Sequence, residues 1–306
     1  MNKTKIILDT DLGDDIDDAF ALAYAYNNPK IELLGVTTVF KNTVSRAKQA
    51  LKYFDELGEK KIPVRAGIGT PFNQPIITFE SDKNYKGVDY PNPCQYDASY
   101  DHFKVDEESA IDFIVRTINK YPNEVVLVPI GPLTNIATVI KEHSEVVKKI
   151  KKIVLRGGDA EAPRAEWNIL CDPEAADIVF RSGIDVYCVG INVTLQCTLE
   201  ESLLDDLTSG DDPQSKLLKI WFNKWSKFFN FNKSVMHDPL AVASLVENAC
   251  VFHKVNSQVD LEGERGSIIL LPPSVTTGSM INVAMEVDKD KFYQIFRKQV
   301  LNNTKL

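Results

Sequence analysis

Cysteine, histidine and positive charge are all in short supply in this chain, and each shortage removes a class of function. The five cysteines (Cys94, Cys171, Cys188, Cys197, Cys250) are odd in number and scattered, with neither CxxC nor metal-finger spacing, which argues against a disulfide framework or a zinc finger. They suit a reducing compartment. Lys and Arg number 35 against 43 Asp and Glu, for a formal charge of −8, so no basic surface is expected to draw the chain onto nucleic acid. No apolar run approaches the length of a membrane span, and residues 1–8 pass straight into a strand pattern without the apolar core of a signal peptide. The expectation is a cytoplasmic protein with no membrane or nucleic-acid partner. No GxGxxG follows the first strand pattern, which excludes a dinucleotide-binding dehydrogenase.

What is present is a large amount of core-forming sequence in a helix-and-strand alternation. With 44% hydrophobic residues in 306, the chain has enough apolar side chains for one substantial core, and no linker or repeat divides it, so we read residues 1–306 as a single domain. Apolar runs at Lys5–Asp9, Ile31–Phe40, Val125–Ile130, Lys152–Leu155 and Val186–Ile191 read as strands. Between them, Ile16–Asn28, Val44–Leu57, Glu108–Tyr121, Leu133–Lys141 and Pro173–Arg181 read as helices. That alternation predicts an α/β fold with a mainly parallel central sheet flanked by helices. Ser215–Asn230 and Pro239–Glu247 read as further helices, Val255–Asp260 and Ser267–Leu271 as a small antiparallel add-on, and Lys289–Leu301 as a closing helix. Residues 68–104 carry Gly, Pro, Asn, Asp and Tyr without a sustained period, as long loops beside a ligand do.

The sharpest local feature is Asp9-Thr-Asp11-Leu-Gly13-Asp14-Asp15-Ile-Asp17-Asp18, six carboxylates within ten residues at a strand end and helix start. Like charges so close repel and raise one another's pKa values unless a cation or hydrogen-bond donors compensate. Acidic residues do favour a helix N-terminus, by roughly 0.3–1 kcal/mol each, which accounts for two of the six. It does not account for Asp9 and Asp11, which alternate at the C-terminal edge of a strand, where open α/β sheets bind ligands. A hard-metal site is the better reading, and oxygen donors favour Ca²⁺ or Mg²⁺ over zinc.

Five ordered segments resemble the inosine-uridine preferring nucleoside hydrolase family. They are the N-terminal acidic motif, Thr37-Thr38-Val-Phe-Lys-Asn42, Val128-Pro129-Ile130-Gly131-Pro132-Leu133-Thr134-Asn135-Ile136-Ala137, Glu166-Trp167-Asn168-Ile-Leu-Cys-Asp172-Pro173-Glu174, and His237-Asp238-Pro239. The resemblance implies a Rossmann-like nucleoside hydrolase fold, a Ca²⁺ cofactor, a small ribonucleoside substrate, a role in purine or pyrimidine salvage, and a homodimer or homotetramer. Carried over residue by residue, Asp11 would be a metal ligand and the base that takes a proton from water. Asp18, Asp238 and the Ile130 carbonyl would be further ligands. Asp17, Asn42, Glu166 and Asn168 would hold the ribose hydroxyls, and His237 would sit near the nucleobase as proton donor. The chemistry asks for such a set: breaking an N-glycosidic bond builds positive charge on the sugar and negative charge on the base, so water, sugar and leaving group each need a partner.

Three departures from the family pattern matter. Two extra residues precede the Asp17-Asp18 pair, leaving Asp14 and Asp15 without an assigned role. Arg156 stands before Gly157-Gly158 where a methionine is usual; it reads either as a contact to a polar or anionic 5′ substituent or as a structural ion pair. Lys86-Gly87-Val88-Asp89-Tyr90 lacks the histidine that many members carry near the base, so base preference does not transfer. Trp221, Phe222, Trp225, Phe228, Phe229 and Phe231 recur at helical spacing and read mostly as core, with Phe228 or Phe229 as candidates for stacking on the base. Thr134 and Asn135, and the histidines other than His237, read as structural. The competing functions are a phosphatase of the haloacid-dehalogenase type, which also starts with DxD, a ribose- or nucleoside-binding member of the fold with weak turnover, and a hydrolase of a modified N-riboside.

Overall fold

The computed structural model describes residues 3–77 and 92–301. Nine strands form one sheet: β1 (Thr4–Thr10), β2 (Ile31–Thr38), β3 (Val64–Ala66), β4 (Val125–Pro129), β5 (Lys152–Arg156), β6 (Val186–Val189), β7 (Cys250–Val259), β8 (Ile268–Leu271) and β9 (Ser279–Val287). Their order is β3-β2-β1-β4-β5-β6-β9-β7-β8. The strands from β3 to β6 are parallel, as is the β6–β9 pair; β7 runs antiparallel to both β9 and β8. The fold class is therefore the predicted one, with a difference at its edge. The antiparallel part is not a separate add-on. It continues the central sheet through β9, a strand the sequence reading left out.

The central strands are built for burial on both faces. β4 is buried along its whole length and β1 from Ile6 to Thr10, which is what near-continuous Val, Ile and Leu runs specify in a parallel sheet covered by helices. One face packs the helix Asp17–Asn27 with Thr43–Glu56, Pro213–Phe229 and Lys289–Val300; the other packs Ala110–Lys120, Thr134–Glu142 and Pro173–Phe180. The helix Asp17–Asn27 is buried from Asp17 to Ala25, and its alanines let the helix His237–Ala243 lie close against it. Each large side chain it removes from water, such as Phe20, contributes on the order of 1.5–3 kcal/mol.

Chain order explains where a site forms. After β1 the chain steps outward through β2 to β3, then returns and steps the other way from β4 to β6. The crevice between β1 and β4 is the point where the direction switches, and ligands of open α/β sheets bind at the carboxyl ends of the strands there. The acidic segment leaves β1 at that end, and Ile130 leaves β4 beside it.

Candidate active site

A cavity of about 620 Å³ opens at this switch point, lined by Asp11, Asp14, Asp15, Asp17, Asp18 and Asp238 together with Ile130, Arg156, Asn168 and His237. A wall of aromatic side chains, Trp167, Trp225, Phe229 and Phe231, completes it. Segments far apart in the chain meet here: the Asp238 main-chain N–H donates to Asp17 Oδ2 at 3.1 Å across 221 residues.

Carboxylate oxygens of Asp17, Asp18 and Asp238 come within 4.8 Å of one another, an arrangement able to hold a metal ion. Burial first, then repulsion from neighbouring carboxylates, pushes all three well above the usual carboxylate range. Among the described residues, Asp17 rather than Asp11 belongs to this tightest trio. Asp11 lines the same cavity with its carboxylate over Gly131, where an added Cβ would meet Oδ1 at 2.6 Å. Its carbonyl is held from behind by Arg46, and burial pushes its carboxyl up to about 6 against the pull of that guanidinium. The donors are oxygens only, as a hard divalent cation prefers, and two ligands on one Ca²⁺ lie at most about 5 Å apart. The residues present therefore fit such an ion.

Surrounding residues fix the geometry. The Thr10 hydroxyl donates to Asp18 Oδ1. Beneath the cluster Asp9 is fully buried; Thr37 and Asn135 donate to its Oδ1 at 2.5 and 2.8 Å, its Oδ2 has no hydrogen-bond partner, and burial pushes its carboxyl up to about 7. The Ile130 carbonyl accepts from Asn168 Nδ2 at 2.6 Å, which anchors Asn168 at the floor and leaves the oxygen's second lone pair for a cation. His237 Nδ1 lies 2.6 Å from the Thr194 hydroxyl, and burial, aided by Arg156, pushes the imidazole well below its ordinary range.

Other predicted site residues stand elsewhere. Asn42 caps the helix Thr43–Glu56, accepting from the Ser45 N–H at 3.1 Å and donating to Asn92 at 3.2 Å. Glu166 caps the helix Trp167–Cys171; one oxygen accepts from the Gly158, Asn168 and Ile169 N–H groups, and the other pairs with Arg156. Neither lines the cavity. Arg156 thus forms the ion pair that was one of its two readings, and it also faces the cavity. Phe229 lines the cavity, whereas Phe228 is half exposed and does not. Trp221, Phe222 and Trp225 are buried, as core residues. The segment Lys86–Tyr90 lies outside the described residues.

The family model for inosine-uridine preferring nucleoside hydrolases matches residues 6–294. The chain belongs to that family. Uridine nucleosidase 1 of Arabidopsis thaliana is 37% identical over 79% of this chain and 74% of its own. The inosine-uridine preferring nucleoside hydrolase of Crithidia fasciculata is 31% identical over 94% of this chain and 95% of its own. The solved purine-preferring ribonucleoside hydrolase of Gardnerella vaginalis superposes with a TM-score of 0.80 at 30% identity, covering 97% of this chain and 98% of its own. The nucleoside hydrolase described here is accordingly an N-glycosidic bond hydrolase for small ribonucleosides.

Sequence reasoning missed several residues that shape this hydrolase's site. Arg46 is the main one: it donates to the Asp11 and Leu12 carbonyls, to Phe40 O at 2.8 Å and to Asp14 Oδ2 at 2.7 Å. With Lys41 Nζ at 4.0 Å from the same oxygen, it holds Asp14 below the usual carboxylate range despite burial. Its signal was available, since Arg46 shares the buried stripe of Gln49, Ala50 and Tyr53 on its helix. The loop before residue 98 also takes part: the Gln95 N–H donates to Gly13 O at 3.0 Å and its side chain to Asp15 O at 2.6 Å. Gly13 makes this possible with φ +118°, and a Cβ there would meet both Gln49 and Pro93 at 2.6 Å.

Proposed function

We propose that this chain hydrolyses unmodified or modified ribonucleosides with Ca²⁺ as cofactor, by attack of water on the anomeric carbon. The convergence of Asp17, Asp18 and Asp238 with Asp11 and His237 in one cavity carries the reading. Asp11, Asp18, Asp238 and the Ile130 carbonyl would hold the ion, with Asp17 close enough to join them. When bound, it makes a water more acidic and fixes the sugar's vicinal hydroxyls.

Asp11 accepts the proton from that water. Burial raises its basicity toward neutral pH, where a general base works best. Asp17 and Asn168 lie along the cavity wall and hold the ribose hydroxyls; Asn42, which caps its helix away from the cavity lining, would have to give up that cap to join them. Glu166 serves by orienting Arg156 and the backbone N–H groups of Gly158, Asn168 and Ile169, since both its oxygens are engaged by the protein. His237 Nδ1 pairs with the Thr194 hydroxyl; in the tautomer this reading requires, Thr194 donates, the hydrogen stands on Nε2, and the neutral imidazole gives a hydrogen bond to the departing base. Phe229 and the other wall aromatics pack on the base.

A single domain over residues 1–306 is supported by one sheet running from Thr4 to Val287. Five free cysteines suit a reducing compartment, which favours a cytoplasmic location. We carry forward a homodimer or homotetramer and a salvage role as parts of the same reading. Incubating the protein with purine, pyrimidine and nicotinamide ribosides, with Ca²⁺ or with chelator, tests it. Free ribose should appear with calcium and vanish with chelator. Binding of nucleosides without ribose release would identify a binding protein instead.

A further inference from the structure

Arg156 is a buried cation turned toward a crowd of carboxylates. It ends β5, is 8% exposed, and sets its Nε 3.8 Å from Asp238 Oδ1. That distance is too long for a hydrogen bond, and Nε is buried with no hydrogen-bond partner. An unbonded guanidinium N–H away from water is destabilising unless electrostatic attraction compensates. The attraction is broad: Arg156 lines the same cavity as Asp11, Asp15, Asp17 and Asp238, so its charge acts on all four across one shared space. From behind, Glu166 accepts from Nη1 while three backbone N–H groups fix its other oxygen, so the guanidinium is held in place rather than free to swing.

The charge balance decides between a receptor for an anionic substrate group and an internal counter-ion. Asp11, Asp14, Asp15, Asp17, Asp18 and Asp238 all line the cavity. A bound dication offsets two of those charges, Arg46 and Lys41 both serve Asp14, and Lys233 also lines the cavity, which still leaves the carboxylates in excess. An anionic substituent entering here would meet net negative charge, whereas Arg156 already has its partners.

We propose that Arg156 is a built-in counter-ion of the metal site: it steadies the carboxylates when the cation is absent, weakens the cation's hold when present, and is moderated by Glu166. The proposal rests on the reading that the cluster binds calcium. Two substitutions then act with opposite sign. Removing the guanidinium relieves repulsion with the ion, so Arg156→Met tightens calcium binding by about tenfold or more. Removing the moderating charge leaves Arg156 less compensated, so Glu166→Gln, which keeps an acceptor for the helix cap, loosens calcium by about tenfold. Arg156→Lys keeps the charge and stays near the parent's affinity.

The test is calcium titration by calorimetry on the whole chain, with melting temperatures taken with calcium and with chelator. Arg156→Met should show tighter binding, a lower melting temperature in chelator and a larger rise on adding calcium than the parent. Competition against a chelator, starting from calcium-loaded protein, reads the same affinities if the stripped variant precipitates. Unchanged affinity in Arg156→Met, or weaker binding in both Arg156→Met and Glu166→Gln as general damage would give, overturns the counter-ion role. A parent that binds no calcium overturns the calcium reading and this proposal together; a calcium-binding parent whose variants shift in the wrong directions overturns this proposal alone.

Discussion

Asp14 and Asp18 stand four residues apart in one acidic stretch, and the fold treats them oppositely. Asp14 receives Arg46 at 2.7 Å and Lys41 at 4.0 Å, and these cations hold its carboxyl below the usual range. Asp18 accepts from the Thr10 hydroxyl, and burial with repulsion from Asp11 and Asp17 pushes it well above that range. Basic residues are at hand, yet they serve the first carboxylate and leave the second to gather with Asp17 and Asp238. The same residue type four positions on is in one case a strut and in the other a proposed ligand. Sequence spacing alone cannot distinguish them.

The largest effect should follow from the side of the comparison that does chemistry. Asp11→Ala removes the proposed base, and steady-state assays should show losses on the order of 10³-fold for inosine, uridine and nitrophenyl riboside alike. If Asp14→Asn lowers turnover just as much with calcium still bound, the division between strut and catalyst fails.

His237→Ala comes next and separates help to the leaving group from activation of water. Natural nucleosides should lose roughly 10²–10⁴-fold in kcat/KM, while nitrophenyl riboside, whose leaving group needs no proton, should lose far less. Since Asp238 is adjacent, the calcium content of the variant is measured first. Equal losses on both substrates with calcium retained would show that His237 is not the donor.

On the structural side of the comparison, Arg46→Met should lower stability in denaturant unfolding by about 3–5 kcal/mol, because it strands Asp14 and three carbonyls without their buried donor. A change under about 1 kcal/mol would mean that water replaces the guanidinium readily.

The smallest effect is a pH dependence of the metal-free protein. Asp11 and Asp9 titrate near 6 and 7 when folded, above their unfolded values, so the folded state binds more protons across the range between. Stability contributed by the protonated forms is complete below the unfolded pKa and is lost as pH rises through the folded values. In chelator, the melting temperature should therefore fall from pH 5 to pH 7.5, and calcium should flatten the slope. A melting temperature that rises over this window in chelator contradicts the raised pKa values.

Much of the parallel sheet was legible because period and length agree with burial: β2, β4 and β6 fall within the apolar runs that predict them, and β1 and β5 overrun theirs by a single residue at an end, β1 at both. What escaped depends on long-range pairing. β3 is three residues long, too short for a periodic signal, and β9 mixes Ser, Met, Asn and Glu because its flanks are partly exposed. The helix Glu201–Ser209 also went unread; its two buried residues, Leu203 and Leu207, make a narrow apolar stripe. In the site, motif residues on the acidic loop and at His237-Asp238 were visible because unusual residue types cluster there. Thr194 and Gln95 were not, since each acts through a partner many residues away, and Arg46 showed only as a charge on the buried stripe of its helix, without its partners. Asn42 and Glu166 show the reverse case: the motif singled them out, while their hydrogen bonds spell helix caps.

The insertion of β9 between β6 and β7 has a bearing on how the molecule is made. A strand that enters the interior of a sheet late in the chain must find a gap between two partners already synthesised, one of them more than ninety residues earlier. Until residues 279–287 arrive, β6 and β7 each carry a row of unmatched peptide groups, the kind of open edge that invites pairing with another molecule. A nascent chain halted before β9 would hold the acidic loop, β4 and the His237–Ala243 helix, and still be exposed to aggregation. Refolding should pass through a slow phase set by this closure, because contacts so distant in sequence are late to form.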